Sequence, residues 1–183
     1  MINTTQTINT KNLTLRTFRE EDAESVQQLL SINKPHMTPW IPWAKNEPQS
    51  VETKKLQIKE WKESFNQNKK YIYGVYEHNS ARLIGMMFMF TRRGNGSLEV
   101  GYIIDYRKYG KGYATEASEA LTYLGFEVGA KKMLIYCDQA NIASARIPKR
   151  IGYTHTSSEI EKIGKEEKRV MIWEMKNPIN QNE

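Results

Sequence analysis

A glycine-rich turn between a hydrophobic run and a helix-like segment has the residue types and spacing best suited to chemistry. The stretch YRKYGKGYATEA places two glycines, Gly110 and Gly112, among three cations, Arg107, Lys108 and Lys111. The start of a helix leaves several backbone N–H groups unpaired, and the helix dipole adds positive charge behind them. Glycine lets the backbone approach a phosphate closely, because no Cβ stands in the way. The turn therefore predicts an anion site.

The spacing of the glycines excludes two common phosphate-binding motifs. A Walker loop needs four residues between its glycines and a Lys followed by Ser or Thr, whereas one residue separates Gly110 from Gly112. The G-x-G-x-x-G fingerprint would need a third glycine where this chain has Thr115. On spacing alone, the turn could bind any phosphate ligand or merely reverse the chain.

Composition favours an anionic partner and a reducing compartment. The formal charge of +6 suits a phosphorylated cofactor, ribosomal RNA or a membrane face, although solvated surface lysines would give the same balance. The one cysteine, Cys137, cannot form an internal disulfide, and its apolar surroundings MLIYCD are typical of a buried structural thiol. No apolar run approaches the roughly 20 residues that cross a bilayer. We expect a cytoplasmic protein without a membrane-spanning segment.

The segments around the turn must form helices and strands that position it. Alternating and apolar runs predict strands over residues 13–18, 71–78, 81–90, 97–105, 132–138, 153–163 and 168–175. Helical periodicity predicts helices over residues 19–33, 50–65, 114–128 and 141–152. We expect the second to fourth strands to form an antiparallel meander, with RGNG (93–96) as one turn, and the last two to form a hairpin over GKEE (164–167). The proline-rich and tryptophan-rich segment 34–48 is predicted to be an irregular loop.

Longer stretches of the sequence resemble the GNAT acetyltransferases. SLEVGYIIDYRKYGKGYATEASEALTYLGFEVGAKKMLIYCDQANIASARIPKRIGY is similar to their acetyl-CoA-binding half, including the R/Q-x-x-G-x-G/A turn from Arg107 to Gly112. LTLRTFREEDAESV is similar to their opening strand and helix. HMTPWIPW resembles the tryptophan-rich loop of the Rim-type members, which acetylate N-terminal amines of ribosomal proteins. The resemblance runs from about Leu13 to Met175.

The resemblance implies one domain over residues 1–183 with the GNAT fold. This is an α/β fold of the α+β kind, in which about four helices flank a mixed, mostly antiparallel sheet of about seven strands. The sheet would be splayed between its fourth and fifth strands, which here are the predicted strands 97–105 and 132–138. The chain is long enough to bury a core of this size.

The resemblance also implies acetyl-CoA as cosubstrate and assigns residues to it. Its pyrophosphate would bind the backbone amides of Arg107, Lys108, Tyr109, Gly110, Lys111, Gly112, Tyr113 and Ala114. Its pantetheine arm would lie between the splayed strands as if adding a strand, paired with backbone near Tyr102, Ile103 and Ile104. An N–H of this strand would polarise the thioester carbonyl. Asn141, which opens the family's N-x-x-S segment, would hold the arm.

Ser144 and Glu99 are the catalytic residues that the resemblance implies. Ser144 would face the sulfur and donate to the departing thiolate, unless it only satisfies amides in the first turn of a helix. Pro148 removes an amide that would otherwise bond to the Ser144 carbonyl. Glu99 would take the proton that the acceptor amine must lose, unless it is an ordinary solvated residue at a strand start. His36 is the alternative base, because imidazole exchanges protons near neutral pH.

The tryptophan-rich loop is the predicted acceptor wall. Trp40 and Trp43 stand beside prolines, and we expect one to pack on the core and one, with His36, to line the acceptor cleft. Rim-type enzymes often have an acidic residue before the last strand, where this chain has Lys168 and Arg169.

A protein N-terminal amine, of a ribosomal or another protein, is the expected acceptor. A small amine such as an aminoglycoside or polyamine is the first alternative, and a non-catalytic module binding ribosomal RNA through its basic surface is the second. We expect no metal, no DNA and no membrane partner, whereas a homodimer stays open. The frequent Asn, Lys and Ile are typical of a bacterium with an AT-rich genome.

Overall fold

The computed structural model describes residues 5–91, 94, 96–163 and 166–178. Its strands are β1 (Thr7–Asn9), β2 (Leu13–Thr17), β3 (Lys70–Glu77), β4 (Leu83–Phe90), β5 (Ser97–Ile104), β6 (Lys132–Asp138), β7 (Thr154–Ile163) and β8 (Glu166–Lys176). They form one sheet in the order β1-β2-β3-β4-β5-β6-β8-β7. Neighbouring strands are antiparallel except β5 and β6, which are parallel. The expected mixed sheet and its antiparallel meander are confirmed.

Four helices cover the two faces of this sheet. They are α1 (Ala23–Met37), α2 (Val51–Asn66), α3 (Tyr113–Glu127) and α4 (Ile142–Ile151). The apolar side of α3, with Ala117 and Leu121, packs on one face, and α4 contributes Ala145 at the edge of the same cluster. On the opposite face, Val26 of α1 and Ile58 of α2 pack together against the sheet. Any ligand between β5 and β6 would therefore have helices on both sides.

The two halves of the sheet separate between β5 and β6. Their ladder consists of three pairs, of which Glu99 with Leu134 is the last. Beyond it, β5 stays paired with β4 as far as Ile104, and β6 stays paired with β8 as far as Asp138. The predicted splay is thus present, as a gap bounded by two strands that each keep a partner on their far side.

Two predictions about individual elements are wrong. The predicted loop 34–48 is helical at its start, because α1 continues to Met37, whose buried side chain lies seven residues after Leu30 on the same face. The loop also contains a short 3-10 helix over Pro42–Asn46, with Pro42 in the first position that suits proline. The sequence also missed β1, an edge strand of three residues that is too short to show an alternating pattern.

Both predicted turns lie partly outside the described residues. Glu166 and Glu167 of the GKEE segment belong to β8, whereas Gly164 and Lys165 lie outside the description, as does Asn95 of the other turn. Within the described part of the chain, no helix combines the length and the apolar character needed to cross a membrane.

Candidate active site

The glycine-rich turn leads from the end of β5 into α3 and leaves a row of backbone amides unpaired. Gly110 and Gly112 have φ angles of +78° and +82°, a left-handed conformation that disfavours residues with a Cβ. In the described part of the chain, the amides from Gly110 to Thr115 have no protein acceptor. The amides of Arg107, Lys108 and Tyr109, which were also expected to bind the pyrophosphate, instead donate to Asp105 and Tyr106, so that part of the prediction is wrong. Six donors at the positive end of a 15-residue helix suit the negative charge of a pyrophosphate.

Two of the three cations of the turn are engaged in ion pairs. The Arg107 guanidinium pairs with Asp105, which is 2% exposed and also accepts from the Arg107 amide at 3.0 Å. This guanidinium holds the pKa of Asp105 below its usual range. Lys108 donates to both carboxylate oxygens of Glu77, at 2.8 and 2.7 Å. Backbone amides, rather than free basic side chains, therefore make up most of the candidate anion site, and these ion pairs hold the turn in place.

Residues from the first helix also hold the turn, although the sequence pattern hardly indicated them. The Asn33 Oδ1 atom accepts from the Tyr106 amide at 2.8 Å, and the Asn33 side chain is 1% exposed. His36, one helical turn later, stacks its ring on Tyr106 at 4.2 Å between centroids. The predicted alternative base is thus an exposed residue packed on the turn. The signal available for Asn33 was its position in the sequence, a polar residue on the apolar stripe of the helix that contains Leu30 and Met37.

The start of α3 is tied to the opposite edge of the sheet through Glu116. Its carboxylate accepts from the Thr10 hydroxyl at 2.6 Å, from the Asn12 amide at 2.7 Å and from Asn12 Nδ2 at 2.9 Å. Burial alone would raise the pKa of Glu116, but these hydrogen bonds outweigh it and keep the pKa below the usual range. The turn that joins β1 and β2 therefore helps to position the helix that presents the amides.

Tyr102 and Ser144 meet across the gap between β5 and β6. Tyr102 lies on β5 past the last pair with β6, and its Oη is 2.8 Å from Ser144 Oγ and 3.1 Å from the Ser144 carbonyl oxygen. Asn141 caps α4, accepting from the Ser144 amide at 3.1 Å through its Oδ1. Burial raises the pKa of the neighbouring Cys137 thiol, which is 6% exposed as expected for a structural cysteine.

Glu99 occupies the other face of the sheet at the closed end of the gap. Alternate residues of β5, including Val100 and Ile104, face the α3 side, so Glu99 and Ile103 face α1 and α2. The Glu99 side chain is 7% exposed, so it is not the solvated strand-end residue that was the alternative. The structure therefore brings Glu99 and Ser144 to opposite faces of one gap.

A cleft of about 630 Å³ lies between the α1–α2 loop and the β7–β8 hairpin. Trp40 and Pro39 line it from the loop, and Lys168 lines it from β8. Lys168 Nζ donates to the Pro39 carbonyl at 2.6 Å and lies 5.7 Å above the Trp40 ring. Trp43 is 43% exposed and lies outside this cleft.

A buried ion pair anchors the loop that carries these tryptophans. Lys54 of α2 is 0% exposed, and its Nζ donates to Glu47 Oε1 at 2.6 Å. The side chains of Gln49 and Gln57 accept from the same nitrogen at 3.1 Å each. Among the described residues, no group of three His, Cys, Asp or Glu side chains could hold a metal ion.

Comparisons with known proteins agree with this geometry. A family model described as an acetyltransferase (GNAT) domain matches residues 12–154. The "Uncharacterized N-acetyltransferase YnaD" of Bacillus subtilis (strain 168) is 28% identical over 149 residues, which are 79% of this chain and 81% of that protein.

Two solved structures share the fold. The first is RimL, a ribosomal L7/L12 alpha-N-protein acetyltransferase in complex with coenzyme A, with a TM-score of 0.84 and 19% identity over 93% of this chain and 97% of that one. The second is the ribosomal-protein-S5-alanine acetyltransferase from Vibrio fischeri, with a TM-score of 0.81 and 18% identity over 94% of this chain and 97% of that one. Since the family model covers most of the sequence, the chain belongs to the GNAT family and is an acetyl-CoA-dependent N-acetyltransferase.

Proposed function

We propose that this enzyme acetylates the N-terminal amine of a protein, with ribosomal proteins as the first candidates. The cleft between the α1–α2 loop and the β7–β8 hairpin carries this proposal, because it is a surface channel walled by prolines and Trp40. A rigid aromatic and proline wall suits the extended end of a polypeptide. The names of RimL and of the S5 alanine acetyltransferase support the same class of acceptor.

Acetyl-CoA would bind through the chain's backbone more than through its charged side chains. The amides from Gly110 to Thr115 would hold the pyrophosphate, with Lys111 as the cation of the turn that has no ion pair among the described residues. The pantetheine arm would run between β5 and β6, along the side of Tyr102, Ile103 and Ile104 that has no strand partner. The side-chain nitrogen of Asn141 would face the arm, since its oxygen already caps α4.

The reaction needs a group that takes a proton from the amine and a group that stabilises the departing thiolate, and we assign these roles to Glu99 and Ser144. The amine attacks only after losing a proton, and Glu99 would accept it directly or through water on the face where the cleft lies. A backbone N–H of β5 would stabilise the oxyanion that forms on the thioester carbon's oxygen. As the C–S bond breaks, Ser144 would donate a hydrogen bond to the thiolate. Nitrogen loses two protons in all, one from the ammonium group before the attack and one after the N–C bond has formed. One of them finally neutralises the sulfur, and the other goes to solvent.

Two ion pairs argue against the glycine-rich turn as an RNA-binding surface. Non-specific RNA binding needs free Lys and Arg side chains along the phosphate backbone. Arg107 and Lys108 are instead held by Asp105 and Glu77. We also propose that the protein acts in the cytoplasm, where acetyl-CoA and nascent proteins meet.

Thiol release from acetyl-CoA tests the acceptor class. The purified protein is offered peptides with the N-termini of ribosomal proteins, the same peptides with blocked N-termini, and a pool of polyamines and aminoglycosides. We expect release with free N-termini and none with the blocked controls. Release with the small amines alone would overturn the protein-acceptor proposal and establish the first alternative.

A further inference from the structure

A pair of hydrogen-bonded hydroxyl groups joins the two halves of the sheet. Tyr102 belongs to β5, and Ser144 belongs to α4, which follows β6. The Tyr102 Oη atom lies 2.8 Å from Ser144 Oγ and 3.1 Å from the Ser144 carbonyl oxygen. The two strands have already separated at the level of Tyr102. The contact therefore spans the gap that the pantetheine arm would enter.

Pro148 explains why the carbonyl of Ser144 is open to a side chain. In a regular helix, the amide four residues later donates to this carbonyl. Proline has no amide hydrogen, so position 148 leaves the acceptor without that donor. The Tyr102 hydroxyl lies within hydrogen-bond distance of this carbonyl, from the opposite side of the gap. The missing amide thus leaves Tyr102 a second acceptor besides Ser144 Oγ.

Tyr102 has one hydroxyl proton for two acceptors, and its choice decides where the Ser144 proton points. If Tyr102 donates to the carbonyl, its oxygen accepts from Ser144, whose proton then points at Tyr102. If Tyr102 donates to Ser144 Oγ, the Ser144 proton can point into the gap. Burial raises the pKa of the Tyr102 phenol, so the group stays protonated at neutral pH and remains a donor.

We propose that Tyr102 is a positioning residue for the departing sulfur, an inference that rests on the acetyl-transfer mechanism proposed above. Its Oη lies closer to Ser144 Oγ than to the Ser144 carbonyl oxygen, and by donating to Oγ it turns the Ser144 proton toward the sulfur of coenzyme A. The sulfur leaves with the electron pair of the C–S bond and accepts this hydrogen bond. Tyr102 and Ser144 keep their protons, and the thiolate is neutralised by one of the two protons that the acceptor nitrogen loses, delivered through Glu99 and solvent.

Kinetics of Tyr102→Phe and Ser144→Ala test this role. For Tyr102→Phe we expect kcat to fall roughly tenfold, the order of one lost hydrogen bond, while KM for acetyl-CoA stays within about twofold. The double variant should be no slower than Ser144→Ala, because Tyr102 acts through Ser144. Tyr153→Phe is the matched control. It removes another buried hydroxyl from the same core cluster, one bonded to Thr122 at 2.7 Å.

A donor with a better leaving group gives a readout that a purely structural role would not change. Selenols are more acidic than thiols, so acetyl-seleno-coenzyme A needs less help as its selenolate departs. The ratio of wild-type to variant kcat should therefore shrink with this donor for Tyr102→Phe and for Ser144→Ala. For Tyr153→Phe the ratio should be the same with both donors.

Two results would overturn the inference. One is an unchanged kcat in Tyr102→Phe, and the other is a loss that is equal with the sulfur and selenium donors. If Tyr102→Phe fails to bind coenzyme A, the sulfur and selenium donors are compared with Ser144→Ala instead. A ratio of wild-type to Ser144→Ala kcat that is equal with both donors would then overturn the inference. Failure of the proposed function is distinct, because the wild-type protein itself would then release no thiol with any amine.

Discussion

At the scale of single residues, the proposed base and the proposed leaving-group residue lie on the two faces of the sheet at the gap. Glu99 is buried on the face toward α1 and α2, and Ser144 lies on the α3 and α4 side. The resemblance to GNAT enzymes located both residues from short motifs. It could not give the contact between Tyr102 and Ser144, which are 42 residues apart in the chain, because this contact depends on the angle at which β5 and β6 diverge.

Replacing the proposed base should impair the reaction most where the amine is protonated. For Glu99→Gln we expect kcat/KM to fall by about 100-fold near neutral pH, with a smaller deficit above about pH 9, since the amine is then already deprotonated without the help of a base. A pH–rate profile with a peptide acceptor measures this.

Glu174→Gln is the control for that substitution. Glu174 lies on the same face, two strands away in the sheet order, and pairs with Lys132 at 2.9 Å. An equal deficit in the two variants would show a general effect of removing charge and not a base. A Glu99→Gln deficit independent of pH would also contradict the assignment.

At the scale of elements, the site depends on ties between segments distant in sequence. Asn33 of α1 holds the turn across 73 residues, and Glu116 of α3 reaches Asn12 across 104. The periodicity of apolar residues predicted α3 and its glycine turn, because that information is local. These polar ties could not be predicted, since each needs the packed fold before its partner is near.

The carboxylate of Glu116 should make the protein sensitive to acid. Its pKa in the folded protein is below the usual value, so the stability it contributes is complete above the unfolded-chain value of about 4.3 and is lost as the pH falls through the lower folded value. We expect the free energy of unfolding of Glu116→Gln to fall less steeply than that of wild type from about pH 5 to about pH 3. Urea denaturation at several pH values measures the slopes, and parallel slopes would contradict the prediction.

Removing one partner of the buried ion pair under the α1–α2 loop should lower the free energy of unfolding. Lys54→Met leaves the Glu47 carboxylate, 3% exposed, without its cation, so we expect a loss of about 3–5 kcal/mol in the free energy of unfolding. The double variant Lys54→Met with Glu47→Leu should recover much of this loss, because no buried charge then remains. Lys55→Met removes an exposed lysine from the same helix and should change little. A double variant as unstable as Lys54→Met would refute this account.

At the scale of the whole molecule, two half-sheets are held together by three pairs of residues and by the helices on their faces. A ligand that bridges the halves binds the folded protein and not the unfolded chain. Coenzyme A at 100 times its dissociation constant should therefore add about 2.7 kcal/mol to the free energy of unfolding.

Thermal unfolding with and without coenzyme A measures this effect as a rise in Tm. Gly112→Val is the comparison variant, since a branched side chain at φ +82° distorts the amides while the open space around it avoids any clash. We expect the variant to fold and to show little shift in Tm. A full shift in Gly112→Val would contradict the assignment of the turn.

The division of the sheet coincides with a division of the chain. Every strand from β1 to β5 precedes α3, and every strand from β6 to β8 follows it. During synthesis on a ribosome, the proposed anion-binding turn is therefore made while β6, Asn141 and Ser144 are still to come. A chain stopped near Gly129 would have the residues of the proposed phosphate end of the site without those of the sulfur end. The proposed donor site would thus be completed only once the strands from β6 onward have been made.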